Sequence, residues 1–161
     1  MSYARAAVAV VAAFLLQTAV LPLTVGEGVT PDFLLATAAA VALLAGTGPA
    51  IGFGLATGLL QDSFSGGLLG MNGFSKPLVV FLAARGREHP PLDTRAGIPL
   101  LLVFAAAADL AILWALGEVA GFTAIPAREL GAAAYGIPIT VIYGLLVVRF
   151  LKPRPAGYGA P

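Results

Sequence analysis

The chain has 161 residues, of which 59% are apolar and only 11% charged, with a net charge of +1 and no cysteine. A soluble domain usually carries roughly a quarter of its residues as charges, so too little polar surface is available here to cover a soluble globule of this size. The composition also excludes disulfides, a thiolate nucleophile, Cys-ligated metal and a basic nucleic-acid face, and the single histidine, His89, excludes a His-rich metal site.

The sequence reads as six apolar blocks separated by short polar punctuation. The first predicted helix covers residues 6–23 and is preceded by Arg5. Its charge and apolar core resemble a signal peptide, but the apolar run continues beyond Gln17 with no clean small-residue cleavage site, so a retained helix is expected. Ser2 stands where myristoylation needs glycine, and no cysteine is present to carry a lipid. A second helix is expected over 32–45, with Asp32 favouring its N-terminus electrostatically. The turn signal Gly46-Thr47-Gly48-Pro49 leads into a third helix, 49–61, whose first turn suits proline. A polar, glycine-rich loop over 62–73 precedes helix 4, expected over 74–84. Residues 85–95 form the longest charged loop, where Pro90 and Pro91 stop any helix. Helix 5 covers 98–116. Helix 6 covers 130–150, with Pro138 expected to kink it. The Pro- and Gly-rich tail, 151–161, is expected to be loose. No composition shift divides the chain, so residues 1–161 read as a single integral membrane domain.

Charge sorting sets the expected orientation. If the gaps between blocks lie alternately inside and outside, Arg5, Arg85, Arg87, Arg95, Arg149, Lys152 and Arg154 all fall inside, and only Lys76 and Arg128 fall outside. Flanking Lys and Arg resist translocation. The fold expected is therefore an all-α membrane protein, six transmembrane helices in a compact bundle with both termini cytoplasmic. Helices 2, 3 and 4 are shorter than the ~20 residues of a lone span. An alternative makes helices 2 and 3 a re-entrant hairpin, and the even number of crossings survives either way. Trp114, Tyr135 and Tyr3 fall near helix ends, as interfacial aromatics do.

Small residues recur at four-residue spacing: Ala38, Ala42 and Gly46; Gly48 and Gly52; Ala50, Gly54 and Gly58; and Gly136, Thr140 and Gly144. Residues four apart share a helix face, and small ones let backbones approach closely. Such stripes serve packing within one chain or docking of a partner helix. Asp109 lies deep in an apolar block, where a charge costs roughly 2.5–3.5 kcal/mol. Lys76 is its nearest partner in depth. A proton relay needs several ionisable groups in series, so a helix-to-helix clamp is favoured. Asp62, at the predicted end of helix 3, opposes the helix dipole there and needs compensation from Lys76 or from loop amides. With Ser63, Ser65 and Asn72 it makes either an outward-facing ligand site or an ordered loop that shapes a protein contact. Serine catalysis lacks its base, because His89 falls on the other side, and paired carboxylates for hydrolysis are missing. Gly52 and Gly54 lack the lysine and strand of a nucleotide loop. No catalytic residue, cofactor or metal is expected.

The order of these blocks resembles the MreD family of rod shape-determining membrane proteins. The likeness covers nearly the whole length and is sharpest over residues 31–88. Pro31-Asp32-Phe33-Leu34-Leu35 resembles the family's approach to its second helix. Gly58-Leu59-Leu60-Gln61-Asp62, then Ser65-Gly66-Gly67, Leu69-Gly70 and Asn72-Gly73, resembles its central signature, and Ala84-Arg85-Gly86-Arg87 its basic turn. The chain departs from the pattern in the uncharged turn Gly46-Thr47-Gly48 and in the polar start Phe74-Ser75-Lys76-Pro77. The resemblance implies a non-enzymatic, multi-pass component of the bacterial plasma membrane and its cell-elongation machinery. It implies MreC as direct partner, with MreB, RodA and penicillin-binding protein 2 linked indirectly, the lipid bilayer as surroundings, no nucleic acid, and a homo-oligomer as an open option. It also implies a fold similar to the substrate-binding subunits of energy-coupling-factor transporters, so the alternative function is a small-molecule-binding transporter subunit. That rival requires an outward cavity with several converging polar groups.

Overall fold

A computed structural model describes residues 2–20, 31–65, 69–89, 92, 94, 96–121 and 127–152, and these form six helices. Helix α1 covers Tyr3–Leu15 and continues into a π-helical turn, Leu16–Val20. Helices α2 (Phe33–Ala45) and α3 (Thr47–Ser65) are joined through Gly46, whose φ of +85° reverses the chain at a single residue and lies where a side chain is strained. Helices α4 (Met71–Arg87), α5 (Gly97–Val119) and α6 (Ala127–Leu151) complete the bundle.

The six helices overlap the six apolar blocks, and α3, α4, α5 and α6 are all longer than expected, α3 and α4 the most. Helix α3 runs past Asp62 to Ser65, and α4 begins at Met71 rather than 74 and ends at Arg87 rather than 84. The physical reason at the first junction is that Asp62 bonds to the start of α4, so it need not end α3. At the far end of α4, Arg85 and Arg87 occupy the last turn, where positive charge suits the helix dipole. The expected loop prolines Pro90 and Pro91, the side chain of Arg128 and the tail from residue 153 onward lie outside the described residues.

Helix α2 is the axis of the bundle. Its residues from Leu34 to Leu43 are all buried, and it packs against α1, α3, α4, α5 and α6. Ala36, Ala38, Ala39, Ala40 and Ala42 present little bulk in any direction, so neighbours can close on every side. Large apolar side chains point the other way: Val8, Val11, Leu55, Leu100, Phe104, Ile142, Leu146 and Phe150 are exposed. Small residues inside and large apolar ones outside suit hydrocarbon surroundings, where burying leucine gains little over leaving it in lipid. Two helical segments, Gly97–Val119 and Ala134–Leu151, are long and apolar enough to cross a membrane.

Helices α3 and α4 approach most closely. A Cβ built on Gly58 would lie 2.2 Å from the Asn72 carbonyl oxygen, and one on Gly54 would lie 2.8 Å from Pro77 Cα. Glycine at both positions is what permits backbone-to-backbone contact there. This contact fixes where Asn72, Ser75 and Lys76 enter the interior.

Candidate functional site

The start of helix α2 is enclosed, with Pro31, Leu34 and Leu35 buried, so its free amide groups need partners there. Asp32 is the N-cap, and its Oδ1 accepts from Leu35 N at 2.7 Å. Gln17 Oε1, from the π-helical turn, accepts from Phe33 N at 3.0 Å and Leu34 N at 3.2 Å. Asp32 N donates to Thr140 Oγ1 of α6 at 2.9 Å. The orphan donors of this helix end are therefore met by the cap's own side chain and by two other parts of the chain.

The other oxygen of Asp32 faces Lys76. The lysine Nζ lies 2.6 Å from Asp32 Oδ2 and 3.4 Å from Asp109 Oδ2, and its side chain is 0% exposed. A third bond, at 3.0 Å, goes to Asn72 Oδ1 one turn back along α4. All three donors of the ammonium are thus used, which is the condition for tolerating such a group away from water. Ser75 Oγ donates to Asp109 Oδ1 at 2.5 Å, and Gln61 Nε2 to Asp32 Oδ2 at 3.2 Å. Asn72 extends the chain further, its Nδ2 donating to Asp62 Oδ1 at 2.9 Å. Asp62 then accepts from the backbone N–H groups of Gly70, Asn72 and Gly73 at 2.9–3.1 Å. Gly70, with φ of +105°, turns these amides toward the carboxylate. Asp62 therefore sits at the favourable positive end of α4, and loop amides supply the compensation the sequence called for.

The four polar residues singled out from sequence, Asp62, Asn72, Lys76 and Asp109, form one connected network. Lys76 lies within α4, inside the span expected for helix 4, and is enclosed by two carboxylates, Asp109 expected from sequence and Asp32 not. Sequence reasoning assigned Asp32 only a capping role and missed Gln17, Gln61 and Ser75. Gln17 carried a readable signal, being a polar residue within an apolar block, as Asp109 is. Ser63 takes no part, since its hydroxyl bonds back to Leu59 O at 2.8 Å. Gln17, Asp32, Gln61, Asp109 and Thr140 also line a cavity of about 280 Å³ between α2, α3, α5 and α6. Among the described residues, no group of three or more His, Asp or Glu side chains is arranged to hold a metal.

The small-residue stripes divide into two sets. Gly54 and Gly58 are filled by α4, Gly144 packs against Leu102 and Ala36, and Gly136 and Thr140 are buried. Gly48 and Gly52 face open space. They are followed at the same spacing by exposed Ala56, beside a shallow groove that Tyr3, Pro49 and Phe53 help to line.

Comparison with curated proteins and with solved structures gave no match. A family model described as "rod shape-determining protein MreD" matches residues 4–118. That span is well over half the chain and contains all of α1 but its first residue, α2 to α4, nearly all of α5, and every network residue except Thr140. The all-helical architecture, two membrane-length apolar segments and an outward-facing apolar surface agree with this membrane-protein family. The chain belongs to the MreD family.

Proposed function

We propose that this protein is a six-crossing scaffold of the rod-shape machinery, with both termini cytoplasmic, and that it works by binding and orienting the membrane helix of MreC. Through MreC it couples MreB filaments to the synthases RodA and penicillin-binding protein 2. The observation that carries the reading is the free stripe Gly48, Gly52 and Ala56 on α3, left open while the other glycine stripes are consumed inside the bundle. In lipid, helices associate largely by close packing, and a four-residue repeat of small side chains offers the shallow groove this needs. The network ties α3, through Gln61 and Asp62, to α2 and α4, which supports a fixed placement of the presenting helix and a low ordering cost on docking.

Co-purification with MreC tests the contact. The double variant Gly48→Leu/Gly52→Leu fills the groove and is expected to abolish co-purification. Gly117→Leu, at an equally open position on α5, is expected to leave it unchanged. Full retention by the double variant excludes this face of α3. Topology is tested separately: an alkaline phosphatase fusion after Lys152 is expected to be inactive, and activity there overturns the assigned orientation.

A further inference from the structure

The cavity between α2, α3, α5 and α6 has a chemically one-sided polar lining. A water needs roughly 10–15 Å³ of such volume, so about 280 Å³ admits a molecule of several heavy atoms. Its polar wall consists mainly of acceptors. Asp32 and Asp109 contribute two carboxylates, and the only ammonium beside them, Lys76, has all three donors engaged. The amides at the start of α2 are already bonded to Gln17, Asp32 and Thr140, so no free donors remain there for an anion. Gln61 also lines the cavity, and its Oε1 is the one buried side-chain polar atom without a hydrogen-bond partner among the described residues. The lining also includes apolar side chains, among them Leu110, Leu113 and Ile137.

We propose that this cavity binds a small protonated organic amine. Its ammonium sits against Asp32 and Asp109, and its short apolar portion lies on Leu110, Leu113 and Ile137. With both carboxylates ionised, Lys76 offsets one of two negative charges and the bound cation offsets the other. An anion meets two carboxylates, and a neutral apolar molecule leaves their second negative charge without a counter-ion. The site is independent of MreC docking, because it opens on a different part of the molecule from Gly48 and Gly52.

The test uses the full-length protein in detergent micelles, with n-butylammonium chloride as probe and thermal unfolding as readout. A ligand that binds only the folded state raises Tm along a saturation curve. Half-saturation is expected at roughly millimolar concentration, as suits five heavy atoms. Sodium chloride at matched ionic strength, n-butanol and sodium butyrate are expected to give no saturable shift. Leu113→Trp, which fills the apolar end without altering charge, is expected to weaken the response at least tenfold. Leu110→Phe serves the same purpose if the tryptophan variant does not fold. No saturation by butylammonium up to 50 mM, an equal response to sodium, or an undiminished response in the filled variant each overturns the proposal.

Discussion

Gly58 gives the sharpest test of how this bundle is held, because the same substitution two turns away should have the opposite sign. A methyl group on Gly58 would lie 2.2 Å from the Asn72 carbonyl oxygen, 2.6 Å from its carbon and 2.8 Å from Gly73 N. Ordinary contact begins near 3.4 Å, so α3 and α4 must part by roughly 1.2 Å. All three neighbouring atoms are backbone, so no rotamer change relieves the overlap. Parting the helices there also stretches the Asp62 bonds to Gly70, Asn72 and Gly73, now 2.9–3.1 Å, toward the limit of useful geometry. Overpacking costs about 1–3 kcal/mol, and each weakened bond to a charged acceptor adds to it, so Gly58→Ala should destabilise by about 2–4 kcal/mol. Gly52 is helical but open, so alanine there should stabilise by about 0.5–1 kcal/mol through reduced chain entropy. Unfolding of each variant by SDS titration in mixed micelles, followed by circular dichroism, reads the difference. If both variants shift in the same direction by similar amounts, the claimed backbone contact between α3 and α4 is wrong.

Two further outcomes follow from the polar network, and a third from the exposed ion pair at the end of α4. Lys76→Met leaves Asp32 and Asp109 without their shared cation and should cost about 3–5 kcal/mol in the same titration, whereas adding Asp32→Asn and Asp109→Asn should recover much of that loss. Asp62→Asn removes the charge that gathers three backbone amides and should cost about 1.5–3 kcal/mol, read as an earlier unfolding midpoint and faster amide exchange at Asn72 and Gly73. Arg85→Ala should cost less than about 1 kcal/mol and become indistinguishable from wild type in high salt, because the Arg85–Glu88 pair is more than half exposed at both ends.

Composition and block spacing determined the six helices and the apolar character of the surface, while the motifs over residues 31–88 carried the likeness to the family. The helices and the surface follow from local, additive properties: apolar length and helix-breaking turns. Part of the site was legible in the same way. Asp109 and Lys76 stood out because a charge in an apolar block demands a partner, and Asp62 because it sat at the wrong end of a helix. Only the tertiary structure decided which groups meet. Asp32 and Lys76 are 44 positions apart and Asp32 and Thr140 are 108 apart, and no helical periodicity links such pairs. The same holds for the glycine stripes. Gly52 and Gly54 look alike in sequence, yet one faces open space and the other the backbone at Pro77. A residue two positions along a helix points about 200° around it, so the placing of a neighbouring helix, not the residue type, sets whether a small side chain is a contact or an opening.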